Sequence, residues 1–340
     1  MGEPTNAQRS AQRGPRWRVS RGLATVVVAT ALLFLVSAIF ASSSTSKGAL
    51  LSMLPFAAVL AIAALGQTLV VQQGGIDLSI AGSMSLAIVI VTHYPDGDDS
   101  KLLPAMAISL LVALGAGVGN GFLVGVLGLN PIVATLGTNA LLYGAVLQVS
   151  SGIPRTTTDR LENAAAGLTF GIPNSVYYAV AATAVATAVV KLTPAGRRFE
   201  AVGSNSLAAL TSGLRVKQYR ASGYIWAQVF YWLAAVLLAG IVKQPTAFQG
   251  DAYLLPSVAA VVLGGTSLLG GRGNLVATAV AALFLSQLEQ FVLALGVTFA
   301  VRTLVEAAAL AIGVALYTLD WRAIGRRIAQ RRAGRVASPT

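Results

Sequence analysis

Long apolar runs alternate along this chain with short polar stretches, and most of the runs are as long as a bilayer is thick. A helix needs about 20 predominantly apolar residues to cross the hydrocarbon core. Runs of this kind occupy residues 23–42, 49–72, 78–93, 102–128, 132–150, 174–192, 221–242, 254–270, 275–296 and 299–319, the third and eighth being short. The pattern predicts an all-α, polytopic membrane protein of about ten transmembrane helices, some short or broken. The first run follows Arg9, Arg13, Arg16, Arg18 and Arg21 and is too long for a signal-peptide core, so it is expected to stay as a span. An even number of spans puts both termini on one side. The expected organisation is a basic tail 1–22, a transmembrane region 23–319 containing a loop at 193–220, and a basic tail 320–340.

Composition strengthens this picture. Charged residues make up 11% of the 340 and hydrophobic residues 55%, whereas soluble domains carry about 25% charged residues. A soluble globular enzyme and a disordered chain are excluded. With no Cys and one His, His93, the chain offers no disulfide framework, no thiolate nucleophile and no Cys- or His-cluster metal site. The net charge of +12 changes meaning once it is located. Residues 1–22 carry +4, 191–220 carry +5 and 320–340 carry +5, which leaves the rest at −2. Basic charge flanking apolar spans marks cytoplasmic segments rather than a nucleic-acid surface. Both termini and the 193–220 loop, with Arg197, Arg198, Arg215, Lys217 and Arg220, are therefore expected in the cytoplasm. Loop 94–101, with Asp96, Asp98 and Asp99, and loop 151–173 are expected outside. No stretch between spans is long enough to fold as a soluble domain, so the energy for any transport must come from a partner or an ion gradient.

Four segments carry candidate chemistry. In Gln72-Gln73-Gly74-Gly75-Ile76-Asp77-Leu78-Ser79, two glycines interrupt the helical pattern. Irregular backbone at membrane depth is tolerated only where protein or a water-filled cavity covers it. Gln73, Asp77 and Ser79 are thus candidates to line a solute path, the alternative being a tight turn with Asp77 as helix N-cap. The second segment runs from Val261 to Gly273 and includes Gly264, Gly265, Gly270, Gly271 and Gly273. It echoes the first (Val70-Val71, Gly74-Gly75, then Leu78) and lacks the Gly-Lys-Ser/Thr of a nucleotide loop. Close helix packing is its simpler reading, as for Gly115, Gly117, Gly119 and Gly121. The third segment, Asn130 to Asn139, places Thr135, Thr138 and Asn139 on one helical face after an Asn-Pro helix start. They are suited to bonding a polyhydroxylated solute or a neighbouring helix.

The fourth segment spans Gly196, Arg197, Phe199, Glu200, Ala201 and Gly203, then Ala208, Ala209, Ser212 and Gly213. A basic, small-residue-rich loop can serve only as a topology signal, but its length, the helix-forming stretch Ser206–Thr211 and an exposed Phe199 are expected to form a docking element for a cytoplasmic protein. Ionisable groups inside spans are few. Arg302 and Glu306 stand four apart and can neutralise each other. Glu289, between Gln287 and Gln290, is the group that a proton-coupled secondary transporter would use.

Taken in order, these segments resemble the permease subunit of ribose-type sugar ABC importers, over about Leu51 to Asp320. The motifs that carry the resemblance are Gly74-Gly75-Ile76-Asp77-Leu78-Ser79, Pro131 to Thr138, the Gly196–Gly213 loop, and Ala259 to Ser267 with Gly270-Gly271-Arg272-Gly273. The resemblance implies a non-catalytic subunit of the bacterial inner membrane, paired with a second copy or a paralogue. It also implies a cytoplasmic ATPase that binds ATP and magnesium in this chain's stead, and an extracytoplasmic sugar-binding protein. The Gly196–Gly213 loop would be the segment that contacts the ATPase. Two departures concern the solute. Tyr253-Leu254-Leu255-Pro256-Ser257 lacks the acids common in the family just before Ala259, and Tyr143 stands where an Arg is common. Ribose, another pentose, a hexose, a deoxysugar, a polyol and a sugar-like signal molecule all stay open.

Overall fold

The computed structural model describes residues 21–298 and positions 300, 301, 304, 305, 307 and 308. Most of the expected span 299–319, with Arg302 and Glu306, lies outside the described residues. So do the 320–340 tail and all but the last two residues of the 1–22 tail. The helices in chain order are α1 (Arg21–Phe40), α2 (Lys47–Gln72), α3 (Ile80–His93), α4 (Leu102–Asn120), α5 (Pro131–Ser150), α6 (Asp159–Ala166), α7 (Asn174–Leu192), α8 (Pro194–Ser204), α9 (Ser206–Thr211), α10 (Val216–Val242), α11 (Leu254–Leu263) and α12 (Leu275–Ala294). A two-residue antiparallel ladder, β1 (Leu168–Thr169) and β2 (Ile172–Pro173), follows α6 and is a small departure from an all-α chain.

Seven of these helical segments are long and apolar enough to cross a membrane, and α3 and α11 are shorter apolar helices. The protein is a multi-pass membrane protein. The run expected at 254–270 is helical only to Leu263, because Gly264 and the glycines after it release the helix. The run at 102–128 leaves the α-helix at Asn120 for a π-helical turn, Gly121–Val126.

The centre of the molecule is built from α2, α3 and α10. From Ala57 to Gln72 every residue of α2 is buried, as are all residues of α3 except its last. Helix α10 packs against α2, α3, α4 and α8, while α2 also meets α7, α11 and α12. Lipid tails are as apolar as leucine, so helices in a membrane are held by close packing through small residues. The α4–α10 seam shows this. A Cβ on Gly117 would lie 2.9 Å from the Ile225 Cα, and Cβ atoms on Gly121 and Gly125 would lie 2.8 and 2.7 Å from Ala221 backbone atoms. The stripe therefore has a period of four. Gly115 and Gly119, expected to belong to it, face open space instead, since a two-residue step turns a helical side chain to the far side. The outer surface is apolar, for example at Leu32, Leu111, Val133 and Leu141.

Candidate functional site

The glycine-interrupted segment after α2 is largely buried, with Gly74 exposed. Gly74 has φ +78°, and the backbone closes with Gly75 N–H donating to the Val70 carbonyl (3.2 Å) and Gly74 N–H to the Val71 carbonyl (2.9 Å). This is a Schellman ending, which uses a left-handed residue to satisfy carbonyls the helix leaves open. The second glycine segment closes α11 in the same way. Gly265 has φ +79°, Thr266 N–H donates to the Val261 carbonyl (3.1 Å) and Gly265 N–H to the Val262 carbonyl (2.8 Å). The echo in the sequence is thus a repeated helix ending, with Gly265 rather than Gly264 in the role of Gly74.

Past the first ending, Asp77 is fully buried. Its carboxylate accepts from Ser79 N–H (2.9 Å) and from the Ser79 hydroxyl (2.6 Å). The Gln228 amide of α10 donates to Ser79 Oγ (3.0 Å) and reaches Asp77 at 3.5 Å. Asn120, at the end of α4, donates to Ser79 Oγ (2.9 Å) and accepts from the Thr138 hydroxyl (2.6 Å). Thr135 Oγ1 accepts from Leu78 N–H (3.0 Å), and Asn139 Oδ1 accepts from Gly82 N–H (2.8 Å). Below Asp77, Gln67 is oriented to bond its backbone N–H and C=O at 3.2 Å each, and Gln67 pairs with the Tyr231 hydroxyl at 2.6 Å. Side chains from α2, α4, α5 and α10 thereby supply the partners that the interrupted backbone lacks, as a buried break requires. Asp77 bonds the N–H of Ser79, two residues ahead, as in a tight turn, but the N-cap of α3 is Ser79 and not Asp77.

The loop Gly270–Gly273 packs onto the end of α2. Gly271 N–H donates to the Gln72 carbonyl (2.9 Å), and a Cβ on Gly271 would lie 2.6 Å from the Ser204 Cα. A Cβ on Gly203 would overlap the Gln72 carbonyl, and one on Gly273 the Gln72 side chain. Gln73 donates to the Phe199 carbonyl (2.9 Å) and so stands apart from the Asp77 cluster. Three chain segments interlock here: the end of α2, the end of α8, and the Gly270–Gly273 loop.

Helices α8 and α9 start from sequence signals. The Thr193 hydroxyl accepts from Gly196 N–H (3.0 Å), with Pro194 in the first turn, and Asn205 Oδ1 accepts from Ala208 N–H (3.0 Å). The expected helix 206–211 is present. One expectation fails: Phe199 is 8% exposed and packs with Leu65, Leu69, Ala186, Val190 and Leu275. Gly196, Phe199 and Val202 recur at three-residue steps and form the inward face of α8. Ala209 is buried as well, Gly203 and Glu200 are half-buried, and Arg197, Ala201, Ala208, Ser212 and Gly213 are exposed. An open pocket of about 550 Å³ beside them is lined by Arg198, Arg215, Gln218 and Tyr219.

Of the solute-path candidates, the fold brings together Asp77, Ser79, Thr135, Thr138 and Asn139. Sequence reasoning missed Gln67, Asn120, Gln228 and Tyr231. An uncharged polar residue within an apolar run was the signal that could have found the first three.

The sequence pattern of the family described as "Branched-chain amino acid transport system / permease component" matches residues 49–317. The chain belongs to this permease family. The permease is 33% identical to the ribose import permease protein RbsC of Bacillus subtilis (strain 168), over 78% of its own length and 84% of the relative's. It is 30% identical to the fructose import permease protein FruF of Bifidobacterium longum, over 82% and 83%. It is 28% identical to the autoinducer 2 import system permease protein LsrD of Photorhabdus temperata, over 74% and 78%. The resemblance to ribose-type ABC importer permeases holds over most of the chain. No solved structure matches the permease.

Proposed function

We propose that this permease carries a sugar or sugar-like solute inward across the bacterial inner membrane, as the non-catalytic membrane subunit of an ABC importer. A separate cytoplasmic ATPase, which holds ATP and magnesium, drives it. An extracytoplasmic binding protein delivers the solute, and a second copy or a paralogue completes the membrane unit. The observation that carries this reading is the likeness, over more than three quarters of the chain, to import permeases for ribose and fructose. Both basic tails and the 193–220 segment lie in the cytoplasm, in keeping with their charge.

In this reading α8 and α9 form the coupling element. Arg197, Ala201, Ala208, Ser212 and Gly213 meet the ATPase, while Gly196, Phe199, Gly203 and Ala209 anchor the element to the transmembrane bundle. The lock between Gly203 and Gln72 supports a direct route for force from the ATPase to the broken helix. The Asp77 cluster flanks the solute path at that break, Gln73 borders it from the α8 side through its bond to Phe199, and the glycines of the two segments give the joint its close packing.

The test uses labelled D-ribose and D-fructose in cells expressing this permease with its ATPase and binding protein. Uptake should stop when ATP is depleted with the proton gradient intact, and persist when an uncoupler removes the gradient with ATP intact. The reverse result overturns the reading and favours a proton-coupled carrier that uses Glu289.

A further inference from the structure

An exposed carboxylate of this subunit stands level with the middle stretches of its spanning helices. Asp251 belongs to the short helical turn Gln249–Tyr253 that leads into α11, and it is exposed. Two independent helices fix its depth. Gln228, beside the midpoint of α10, bonds Ser79. Six residues further on, about 9 Å along the chain at 1.5 Å per residue, Ser85 Oγ accepts from Gly250 N–H at 3.0 Å. From the other side, the Tyr143 hydroxyl donates to Asp251, and Tyr143 stands roughly 4 Å along α5 from that helix's midpoint. With the helix midpoints taken as the bilayer centre, both measures put Asp251 within the half-thickness of the hydrocarbon core, about 15 Å.

A charged group at this depth does not face lipid; it faces a partner or water. Among the described residues no cation pairs with Asp251. Its surroundings have the chemistry of a carbohydrate contact. Phe248 stacks edge-on against Tyr143 with ring centroids 5.1 Å apart, and Asn139 lies one turn before Tyr143 on the same helix. Aromatic faces take the apolar side of a sugar ring, and a carboxylate accepts from its hydroxyls.

Resting on the reading of the chain as a permease, we propose that Asp251, positioned by Tyr143 and flanked by Phe248, forms a solute-contact point in a water-filled passage along this face. It takes neutral polyhydroxylated solutes and disfavours anions.

The chain contains no Cys, so single cysteines can be read without background. In membranes holding the full chain, Asp251→Cys and Phe248→Cys are treated with a cationic and with an anionic membrane-impermeant methanethiosulfonate. Leu111→Cys, at the middle of α4 and 68% exposed, serves as the lipid-facing control. Both test cysteines should react at least ten-fold faster than Leu111→Cys. At Phe248→Cys the cationic reagent should gain several-fold over the anionic one, and Asp251→Asn in that background should remove the gain. Reaction at both cysteines no faster than at Leu111→Cys overturns the passage. A charge preference unchanged by Asp251→Asn overturns the role of Asp251. If the cysteines react but ATP-driven sugar uptake is absent, the passage stands and the sugar-import reading falls. Uptake with inert cysteines does the opposite.

Discussion

The two glycine-rich helix endings share one backbone solution and are sealed in different ways. At Gly74 the chain leaves α2 and re-enters a helix at Ile80, and the gap is filled by hydrogen-bonding side chains gathered from four helices. At Gly265 the chain leaves α11 and re-enters at Leu275, and much of the longer gap is closed by backbone lying on backbone. A Cβ on Gly264 would sit 2.7 Å from the Thr278 nitrogen, and the Gly270–Gly273 loop rests on Gln72 and Ser204. A short buried gap has few backbone groups to satisfy and can do so with side chains. The longer one uses glycines where it meets α2, α8 and α12 and leaves Leu269 exposed. The first seal is made of side-chain hydrogen bonds, whereas the second is made of close backbone contacts that touch Ser204 of α8 and Gln72 of α2.

The largest expected effect breaks the packed seal. Gly264→Val places its Cβ within 2.9 Å of the N, Cα and Oγ1 of Thr278, and a backbone obstacle cannot swing aside. Overpacking of this kind costs about 3 kcal/mol, seen as a lowered thermal midpoint and lost monodispersity of the purified protein in detergent. A midpoint equal to wild type would show that the second seal is not packed as described. The next effect falls on the polar seal. Asp77→Ala strips the acceptor from Ser79 N–H and the Ser79 hydroxyl and should cost about 2 kcal/mol. Asp77→Asn keeps one carbonyl oxygen for those donors and should lose less than half as much. Equal losses in the two variants would mean that the charge, not the acceptor, holds the joint. Smaller still, Gly74→Ala and Gly265→Ala each force a Cβ into the left-handed region at roughly 1 kcal/mol. A Cβ on Gly74 meets nothing nearer than the Leu269 carbonyl at 3.8 Å, so its loss measures the helix ending alone.

How much of this could be read from the chain follows the range of each interaction. Spans, short helices and the starts of α5, α8 and α9 depend on neighbours within a few residues, and their signals stand in the sequence. Asn130-Pro131 and Thr193-Pro194 are examples. The repeated ending was visible, though its register was not: matching Gly74 to Gly265 needs the hydrogen bonds. Phe199 misled because a basic, small-residue-rich segment reads as surface, whereas its three-residue apolar step is the sign of an inward face. The polar seal was half legible. Asp77, Thr135, Thr138 and Asn139 stood out, yet Gln228 lies 151 residues from Asp77, and nothing local pairs them. Gln67, Asn120 and Gln228 are uncharged and stand outside the four candidate segments, so nothing beside them marks them.

The smallest effect sharpens the comparison most, because it asks whether the polar seal belongs to the loop or to the helices around it. Gln228→Leu removes the α10 contribution, a donor to Ser79 Oγ at 3.0 Å and to Asp77 at 3.5 Å. Hydrogen bonds between membrane helices average about 0.6 kcal/mol. The Gln228 carbonyl oxygen is buried without a partner among the described residues, so replacing the amide also relieves an unmet acceptor. The two changes oppose each other, and the net loss should be about 0.5 kcal/mol or less, below that of Asp77→Ala by a factor of several. Thermal midpoints for Gln228→Leu, Asp77→Ala and the double variant form a cycle that isolates the coupling. A small coupling leaves the seal local, with Asp77 and Ser79 closing their own turn and α10 free to slide past it. A coupling near 2 kcal/mol would instead bind α10 to the break.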